Sequence, residues 1–383
     1  MAETRTAARR TAYAAAGVNV AAGDRAVELM RAAIESTRRP EVVGGVGGFG
    51  AAVALPSGYR EPILVSSTDG VGTKTAIAVA QRRFDTIGRD LVAMCADDVV
   101  CSGASPLFFL DYIAVGRLDP AGVAELVGGI AAGCLEAGCA LVGGETAEHP
   151  GLMDPEDFDM AGCCIGVVER DRIIDGSRIR AGDAIVGLAS SGLHANGFSL
   201  VRTLIEKWQL DLARPYQEQL LLSLGETIAE PAINAEPAHL LATLGEVLLT
   251  PSTIYASLIL GLRTALEAAG SDLRGVAHIT GGGLHGNVPR MLPLDLAARL
   301  DPSRWPVPSI IRLAAALGGL DDEEARATFN AGIGMVLTVP ADAVPIAIAG
   351  MKAAGVDAWL VGEVVPVAAA GARYVEGRLE AVG

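Results

Sequence analysis

Strand-like segments that end in glycine-rich loops and lead into helices recur along this chain of 383 residues. Pro62–Ser67 ends in TDGVGTK, Ala184–Ala189 in SSGLHANG, and Val276–Thr280 in GGG. Such units bury their apolar faces by layering helices on sheets, which restricts the chain to an α/β (α+β) architecture. The length exceeds that of a typical single domain. We therefore predict two domains, residues 1–173 and 174–383, separated by a charged link.

Charge and hydropathy argue against two classes of partner. Thirty basic residues against 45 acidic residues give a formal net charge of −15, which does not attract nucleic-acid phosphates. No uninterrupted apolar run reaches the roughly 18 residues that a membrane-spanning helix needs, so we predict no membrane span. Residues 1–17 carry arginines beside Glu3 and lack the apolar core of a secretory signal. We expect a cytosolic tail and a cytoplasmic protein.

The loop that follows Pro62–Ser67 combines groups that bind phosphate and metal. Gly70 and Gly72 leave backbone N–H groups unobstructed, next to the carboxylate of Asp69. Thr73 and Lys74 add a hydroxyl group and a cation. Because the chain has only three lysines, a specific role of Lys74 as a point charge is favoured, and a chance surface position is the alternative.

Further carboxylates could complete a metal site. On the predicted helix from Thr86 to Ser102, Asp98 falls on the apolar face and Asp97 at its edge. A buried carboxylate needs a cation, a metal or backbone donors, so Asp98 is either a ligand or a structural cap. Glu145 follows the short strand Cys139–Val142. Oxygen ligands of this type suit Mg²⁺ bound with nucleotide phosphates.

A glycine-rich segment, GVGGFG, has the G-x-G-x-x-G spacing at Gly45, Gly47 and Gly50. That spacing binds a pyrophosphate only between a strand and the helix that follows it. Here a helix and Pro40 precede the segment and strand-like residues follow it, which argues against a Rossmann site. A mobile loop that closes over a nucleotide and a structural turn are the remaining interpretations.

Two loops of the second half could bind a substrate. SSGLHANG places His194 and Asn196 between a strand and a helix, where side chains reach ligands in open α/β sheets. ITGGGLHGN presents three glycines at a helix N-terminus, which suits a phosphate monoester, followed by Asn287. Each histidine alone is more often structural than catalytic, but two such loops beside the acidic loops favour a binding site.

Long stretches of the sequence resemble one enzyme family. They are DGVGTK, DTIGRDLVAMCADDVVCSGASPLFFLDYIAVG, LVGGETAEHPG, SSGLHANGFSLVR, ITGGGLHGNVPRMLP and TFNAGIGM, which occur in this order. They are similar to the phosphoribosylformylglycinamidine cyclo-ligases, also called aminoimidazole ribonucleotide (AIR) synthases. The resemblance implies a two-domain AIR-synthase-like architecture, a homodimer formed through the N-terminal sheets, and an ATP site near that interface and the glycine loop.

The implied reaction is the ATP-dependent ring closure of formylglycinamidine ribonucleotide to 5-aminoimidazole ribonucleotide, ADP and phosphate, in purine biosynthesis. The implied cofactors are ATP and Mg²⁺, with K⁺ as an optional cation. An amide oxygen is a poor leaving group, so ATP is expected to phosphorylate the formyl oxygen before the amidine nitrogen attacks. Positioning and charge neutralisation dominate such a transfer.

Carried over position by position, the resemblance gives each candidate residue a role. Mg²⁺ would be held by Asp69, Asp98 and Glu145. ATP and its phosphates would contact Gly47, Gly48, Gly50, Asp69, Gly70, Gly72, Thr73 and Lys74. The substrate would contact Ser191, Asn196, Gly281, Gly282, Gly283 and Asn287, the last four at its ribose phosphate. Catalysis would involve His194, Asp98 and Lys74, with His194 as a proton carrier or electrostatic stabiliser.

Three positions depart from the pattern expected of this family: Asp97 where Asn is frequent, Ala195 where Ser is usual, and Leu284 where an aromatic residue is common. They concern substrate contacts and, through the charge of Asp97, the Mg²⁺ dependence. Three other functions remain open. They are a related ATP-dependent enzyme such as selenophosphate synthetase or thiamine monophosphate kinase, a nicotinamide dehydrogenase that uses GVGGFG, and a non-catalytic dimer.

Overall fold

The computed structural model describes residues 20–45 and 47–379, in which helices pack on two sheets. A four-stranded sheet is built from residues 62–169 and a six-stranded sheet from residues 184–376. The predicted mixed α/β architecture is confirmed. The expected domain boundary after residue 173 falls between the two sheets. The expected cytosolic tail, residues 1–17, lies outside the described residues.

Within residues 20–45 and 47–173, the N-terminal half contains a short ladder, a sheet and four α-helices. Its elements are α1 Val20–Ser36, β1 Val42–Val43, β2 Ala52–Val53, β3 Pro62–Gly70, α2 Thr75–Gln81, α3 Ile87–Cys101, β4 Ser105–Val115, α4 Pro120–Ala137, β5 Ala140–Glu148 and β6 Phe158–Glu169. The sheet order is β3-β6-β4-β5, in which only β4 and β5 run parallel. β3 is therefore an edge strand, and its last residues form the start of the DGVGTK loop.

Local signals explain the bounds of α4. The side chain of Asp119 accepts a hydrogen bond from the backbone of Ala121, Pro120 lies in the first turn, and Gly138 ends the helix in the left-handed region. Among the described residues, α4 is the one helix long and apolar enough to cross a membrane. Half of it is buried, where it packs on α1 and α3, as in the core helix of a folded domain.

The C-terminal half carries the larger sheet. Its elements are β7 Ala184–Ala189, α5 Phe198–Trp208, α6 Tyr216–Leu224, α7 Glu226–Ala235, α8 Leu244–Leu248, α9 Ala256–Ala268, β8 Gly275–His278, α10 Gly283–Asn287, β9 Leu296–Leu300, α11 Ser309–Gly318, α12 Asp322–Thr328, β10 Ile333–Val339, α13 Val344–Ala353, β11 Ala358–Pro366, α14 Val367–Ala370 and β12 Tyr374–Glu376. The sheet order is β12-β9-β11-β7-β10-β8. The segment 211–236 contains α6 and α7.

The two halves meet around α3. This helix packs on β3 and β6 of its own sheet and also on β8 and α9 of the other half. Because β7 and β8 both run antiparallel to β10, their carboxyl ends lie at the same edge of the larger sheet. The loops that follow β7 and β8 therefore face the N-terminal half together.

Candidate active site

A cleft lies between the two halves, where β3 and α3 face the end of β8. Its cavity of about 360 Å³ is lined in part by Ser67, Asp98, His278 and Arg290. His278 Nδ1 lies 2.9 Å from Asp98 Oδ1, and the hydroxyl of Ser67 donates to Asp98 Oδ2 at 3.2 Å. A histidine–carboxylate pair thus joins the two halves of the molecule at the cleft.

The surroundings of the pair keep Asp98 ionised. Burial opposes the charge of Asp98, but the hydrogen bond and charge of His278 outweigh it, so the pKa of Asp98 is lowered. In the neutral tautomer that carries its proton on Nδ1, His278 donates a hydrogen bond to Asp98 and keeps a lone pair on Nε2. Nε2 of His278 is buried and has no hydrogen-bond partner among the described residues. The side chain of His278 is only 2% exposed, so a substrate nitrogen must come within hydrogen-bond reach of a ring that is almost fully covered before Nε2 can accept its proton.

Two residues of this cleft, His278 and Arg290, are missing from the sequence-based candidates. The available signal for His278 is its position at the end of a strand, one residue before ITGGG. Arg290 is exposed, donates to Asn287 Oδ1 at 3.1 Å, and contributes to the lowered pKa of Asp98. In the sequence, the signal for Arg290 is a cation close to the glycine loop that is expected to bind a phosphate.

The helical pattern predicts that Asp98 lies on the apolar face of α3 and Asp97 at its edge, but the structure shows the opposite arrangement. Asp97 is fully buried, whereas the side chain of Asp98 is 39% exposed. Asp97 Oδ1 accepts a hydrogen bond from the backbone N–H of Tyr255 at 2.8 Å, just before α9. Burial raises the pKa of Asp97 to about 7. The hydrophobic pattern of α3 alone does not predict the burial of Asp97, because the C-terminal half covers a second face of this helix.

Lys74 does not reach the cleft, contrary to its expected role at the ATP phosphates and in catalysis. Its side chain is completely buried. Nζ donates to Asp90 Oδ1 at 2.9 Å, to the carbonyl of His194 at 3.0 Å and to the carbonyl of Thr250 at 2.8 Å. These contacts use all three ammonium hydrogens. A phosphate contact would leave these buried acceptors unpaired, so the geometry favours an internal ion pair over the predicted contact with ATP.

His194 is also buried, which does not fit a proton carrier. Its φ is +60°, and its Nε2 accepts a hydrogen bond from the backbone N–H of Ser191 at 3.1 Å. Burial lowers the pKa of His194 to about 3, and the charges of His278 and Lys74 act in the same direction. The imidazole is therefore neutral near pH 7. A general acid or base needs a pKa near the working pH, so this environment favours the predicted role of electrostatic stabiliser over that of proton carrier.

The three predicted metal ligands do not form one group. Asp69 ends β3 close to Asp98; its pKa is raised by burial first and by the charge of Asp98 to a smaller extent. Glu145 is exposed on β5, which is separated from β3 by two strands, or roughly 14 Å at normal strand spacing. Within residues 20–45 and 47–379, no group of three His, Cys, Asp or Glu residues could hold a metal. The role of Asp69, Asp98 and Glu145 as Mg²⁺ ligands stays a prediction, which the proximity of Asp69 to Asp98 favours more than the position of Glu145 does.

The GGG loop contains both exposed and structural positions. Gly282 and Gly283 have φ values of +88° and +58°, and a Cβ at Gly283 would lie 1.9 Å from the carbonyl oxygen of Arg326. Asn287 is buried, and its amide donates to the carbonyls of Gly281 at 3.1 Å and of Gly283 at 2.9 Å. Asn287 thus shapes the loop, and its contact with the ribose phosphate stays a prediction. Gly281 and Gly282 remain exposed.

Of the remaining candidates in the loop 190–197, Ser191 has an internal partner and Asn196 lies close to the GGG loop. The hydroxyl of Ser191 donates to the carbonyl of Pro251 at 2.6 Å, and its contact with the substrate stays a prediction. Asn196 is half-buried, and its Oδ1 lies 3.7 Å from the position of a Cβ on Gly281. Ala195 and Leu284 are buried. Both departures from the family pattern therefore belong to internal packing.

The described residues of the GVGGFG loop, Gly45 and 47–50, are exposed between β1 and β2. A Cβ at Gly47 or Gly50 would meet no atom within 4 Å, and one at Gly48 would meet only the carbonyl oxygen of Gly50 at 3.5 Å. Packing within the described chain therefore does not require these three glycines. Gly70, Gly72 and Thr73 form the turn from β3 toward α2, where the Thr73 hydroxyl lies 3.2 Å from that of Ser199.

Curated relatives resemble the chain over nearly its full length. A phosphoribosylformylglycinamidine cyclo-ligase from Gloeobacter violaceus is 50% identical and covers 94% of this chain and 99% of its own. One from Sorangium cellulosum is 48% identical, covering 93% and 95%. One from Synechococcus sp. is 45% identical, covering 95% and 99%.

Solved structures share the fold at low sequence identity. Thiamine-monophosphate kinase from Stenotrophomonas maltophilia has a TM-score of 0.61 at 18% identity, covering 92% of this chain and 95% of its own. The hydrogenase maturation protein HypE in complex with ATP has a TM-score of 0.58 at 19% identity, covering 92% and 90%. Family models for the N-terminal and C-terminal domains of AIR synthase related proteins match residues 50–168 and 180–374. The chain therefore belongs to the AIR synthase related protein family.

Proposed function

We propose that this chain closes the imidazole ring of 5-aminoimidazole ribonucleotide from formylglycinamidine ribonucleotide, with ATP as the phosphoryl donor. The observation that carries this proposal is the 45–50% identity to curated cyclo-ligases over at least 93% of the chain. The cleft between the halves supports it, because it combines a proton acceptor, an exposed arginine and an exposed glycine loop.

The cleft residues suit the proton chemistry of ring closure. The amidine nitrogen attacks the formyl carbon, and the former formyl oxygen leaves with the phosphoryl group that ATP has supplied. The attacking nitrogen must lose a proton, which His278 Nε2 accepts while Asp98 holds the Nδ1 proton. Arg290 and the exposed N–H groups of Gly281 and Gly282 would bind the ribose phosphate.

The nucleotide would bind on the N-terminal side of the cleft. Gly70, Gly72 and Thr73 would contact its phosphates, and the loop with Gly47, Gly48 and Gly50 would cover it. Mg²⁺ would be held through Asp69 and Asp98, and when bound it neutralises phosphate charge. A requirement for K⁺ remains a prediction from the resemblance.

We extend the proposal to a cytoplasmic homodimer formed through the smaller sheets. β3 is an edge strand, and the sheet face opposite α3 carries Leu64 and Tyr112, which are 57% and 42% exposed. Unpaired edges and exposed apolar faces are common interface features. Light scattering of the purified chain tests this point: a monomer mass at micromolar concentration would contradict it.

The function is tested by incubating the purified protein with Mg²⁺, ATP and formylglycinamidine ribonucleotide. We expect ADP and 5-aminoimidazole ribonucleotide to appear in equal amounts. ADP release without the aminoimidazole product would contradict the substrate assignment. Omission of formylglycinamidine ribonucleotide is the control, because a contaminating ATPase would still release ADP from ATP.

A further inference from the structure

A buried polar cluster lies directly behind the DGVGTK loop. We call it the Lys74 hub: the side chains of Lys74, Asp90 and Ser252 and the carbonyl groups of His194 and Thr250. Lys74 and Asp90 have fully buried side chains. The ring of Phe198 lies 5.4 Å from Nζ and closes one side of the cluster.

The charges of the hub are matched inside the protein. Nζ of Lys74 lies 2.9 Å from Oδ1 and 2.8 Å from Oδ2 of Asp90, the latter outside hydrogen-bond geometry. Asp90 Oδ1 also accepts from the backbone N–H of Ser252 at 2.8 Å and from its hydroxyl at 2.5 Å. A buried ion pair is stable only when its groups are paired in this way. These contacts therefore hold the ammonium group of Lys74 in the hub.

The hub joins loops from both halves of the molecule. Lys74 follows Thr73, the end of the expected phosphate loop, and Asp90 lies on α3. His194 belongs to the loop 190–197, and Thr250 and Ser252 belong to the connection between α8 and α9. The hydroxyl of Ser191 ties the loop 190–197 to that connection through the carbonyl of Pro251.

We propose that Lys74 is a positioning residue, which fixes the loop 190–197 against the phosphate loop 69–73 and contacts neither substrate. The consequence is that Asn196, on the first loop, keeps a constant position relative to a nucleotide on the second. Fixed relative placement of two reactants lowers the entropic part of the barrier. The kinetic consequence rests on the proposed ring closure, whereas the burial of Lys74 can be tested without it.

Amine labelling tests the placement. The chain has three lysines, and Lys207 is an exposed internal reference. The native protein is treated with an amine-acylating reagent, with and without Mg²⁺ and ATP, and each lysine is followed by mass spectrometry. We expect Lys74 to react at least tenfold more slowly than Lys207 in both conditions. Rapid labelling of Lys74 without ATP and protection with ATP would overturn the hub, because the ammonium group would then face the nucleotide.

Kinetics test the positioning role. Lys74→Met alone leaves the buried carboxylate of Asp90 unpaired and could fail to fold, so the main variant is Lys74→Met with Asp90→Asn. We expect its kcat to fall at least tenfold and its KM for formylglycinamidine ribonucleotide to rise severalfold, while its KM for ATP changes less than threefold. Lys207→Met is the matched surface control and should behave like the wild type.

Three kinetic outcomes would overturn the proposal. A tenfold rise of the KM for ATP with an unchanged KM for the second substrate would assign Lys74 to the nucleotide. Loss of thermal stability with unchanged kinetic constants would reduce the hub to a structural element. Full wild-type kinetics and stability would remove any role. If the wild type itself has no cyclo-ligase activity, the proposed function fails, and the labelling result still decides where Lys74 lies.

Discussion

His194 and His278 both lie near strand ends at the same edge of the larger sheet, but the fold gives them different surroundings. His278 ends β8 and pairs with Asp98 across the cleft at 2.9 Å. His194 follows β7 by five residues and is buried like His278, and this burial lowers its pKa to about 3. Nδ1 of His278 has a carboxylate partner, whereas Nδ1 of His194 has no hydrogen-bond partner among the described residues.

The difference shows that a histidine's partner decides its chemistry more than its loop does. The positive charge of Lys74 lies near His194 and disfavours a second positive charge there. His278 instead has the carboxylate of Asp98 within hydrogen-bond distance of its Nδ1. A motif that places a histidine after a strand therefore identifies a region, and the opposite domain determines whether that histidine can exchange protons.

Replacement of His278 should have the largest effect. We expect His278→Ala to lower kcat by about 100-fold or more, the usual contribution of a positioned general base, while the protein stays folded. Steady-state ADP release and circular dichroism measure the two properties. His285→Ala is the matched control, since this exposed histidine lies on the neighbouring short helix α10. Equal activity of the His278→Ala variant and the wild type would reject His278 as the proton acceptor.

Replacement of Asp98, the partner of His278, tests whether the two residues act as a unit. Asp98→Asn removes the charge that holds the Nδ1 proton, and we expect kcat to fall by about tenfold or more. If the two residues act together, the double variant with His278→Ala should be hardly slower than His278→Ala alone. Losses that multiply would contradict a coupled pair and favour separate roles, with Asp98 acting through the metal.

The sequence predicts regions of the site better than the state of individual side chains. Local patterns located the DGVGTK and GGG loops and the helix that carries Asp98, because strand ends, glycines and helical spacing are encoded within a few residues. The burial of Lys74 depends on Asp90 and on carbonyls more than 100 residues away in sequence. The exchange of Asp97 and Asp98 likewise depends on packing by the distant C-terminal half. Only the assembled fold supplies these contacts.

Replacement of His194 should affect stability in acid more than turnover. In the fold the pKa of His194 is about 3, below its reference value of 6.5, so the unfolded chain binds the proton more readily. This contribution to stability is complete above pH 6.5 and falls as the pH decreases toward 3. Between pH 7 and pH 5.5 the wild type should lose about 1 kcal/mol more than His194→Asn.

Asparagine suits this test because it tolerates the positive φ of this position. Urea unfolding at both pH values measures the difference between the two proteins. We expect kcat of His194→Asn to fall less than tenfold. An identical loss of stability in wild type and variant would contradict a neutral, buried His194.

Replacement of Asp97 should have the smallest effect on activity and separates it from its neighbour Asp98. Asp97→Asn keeps an oxygen acceptor for the N–H of Tyr255 and removes a carboxyl group whose pKa burial raises from 3.8 to about 7. We therefore expect kcat and the Mg²⁺ concentration for half-maximal ADP release to change less than twofold. Because the raised pKa disfavours the buried charge, the stability of the variant relative to the wild type should rise from about pH 4 to pH 7 and then stay constant. A fivefold shift of the Mg²⁺ titration would instead show that the charge of Asp97 acts on the metal despite its burial. Asp97 and Asp98 would then differ in their distance from the metal and not in their role.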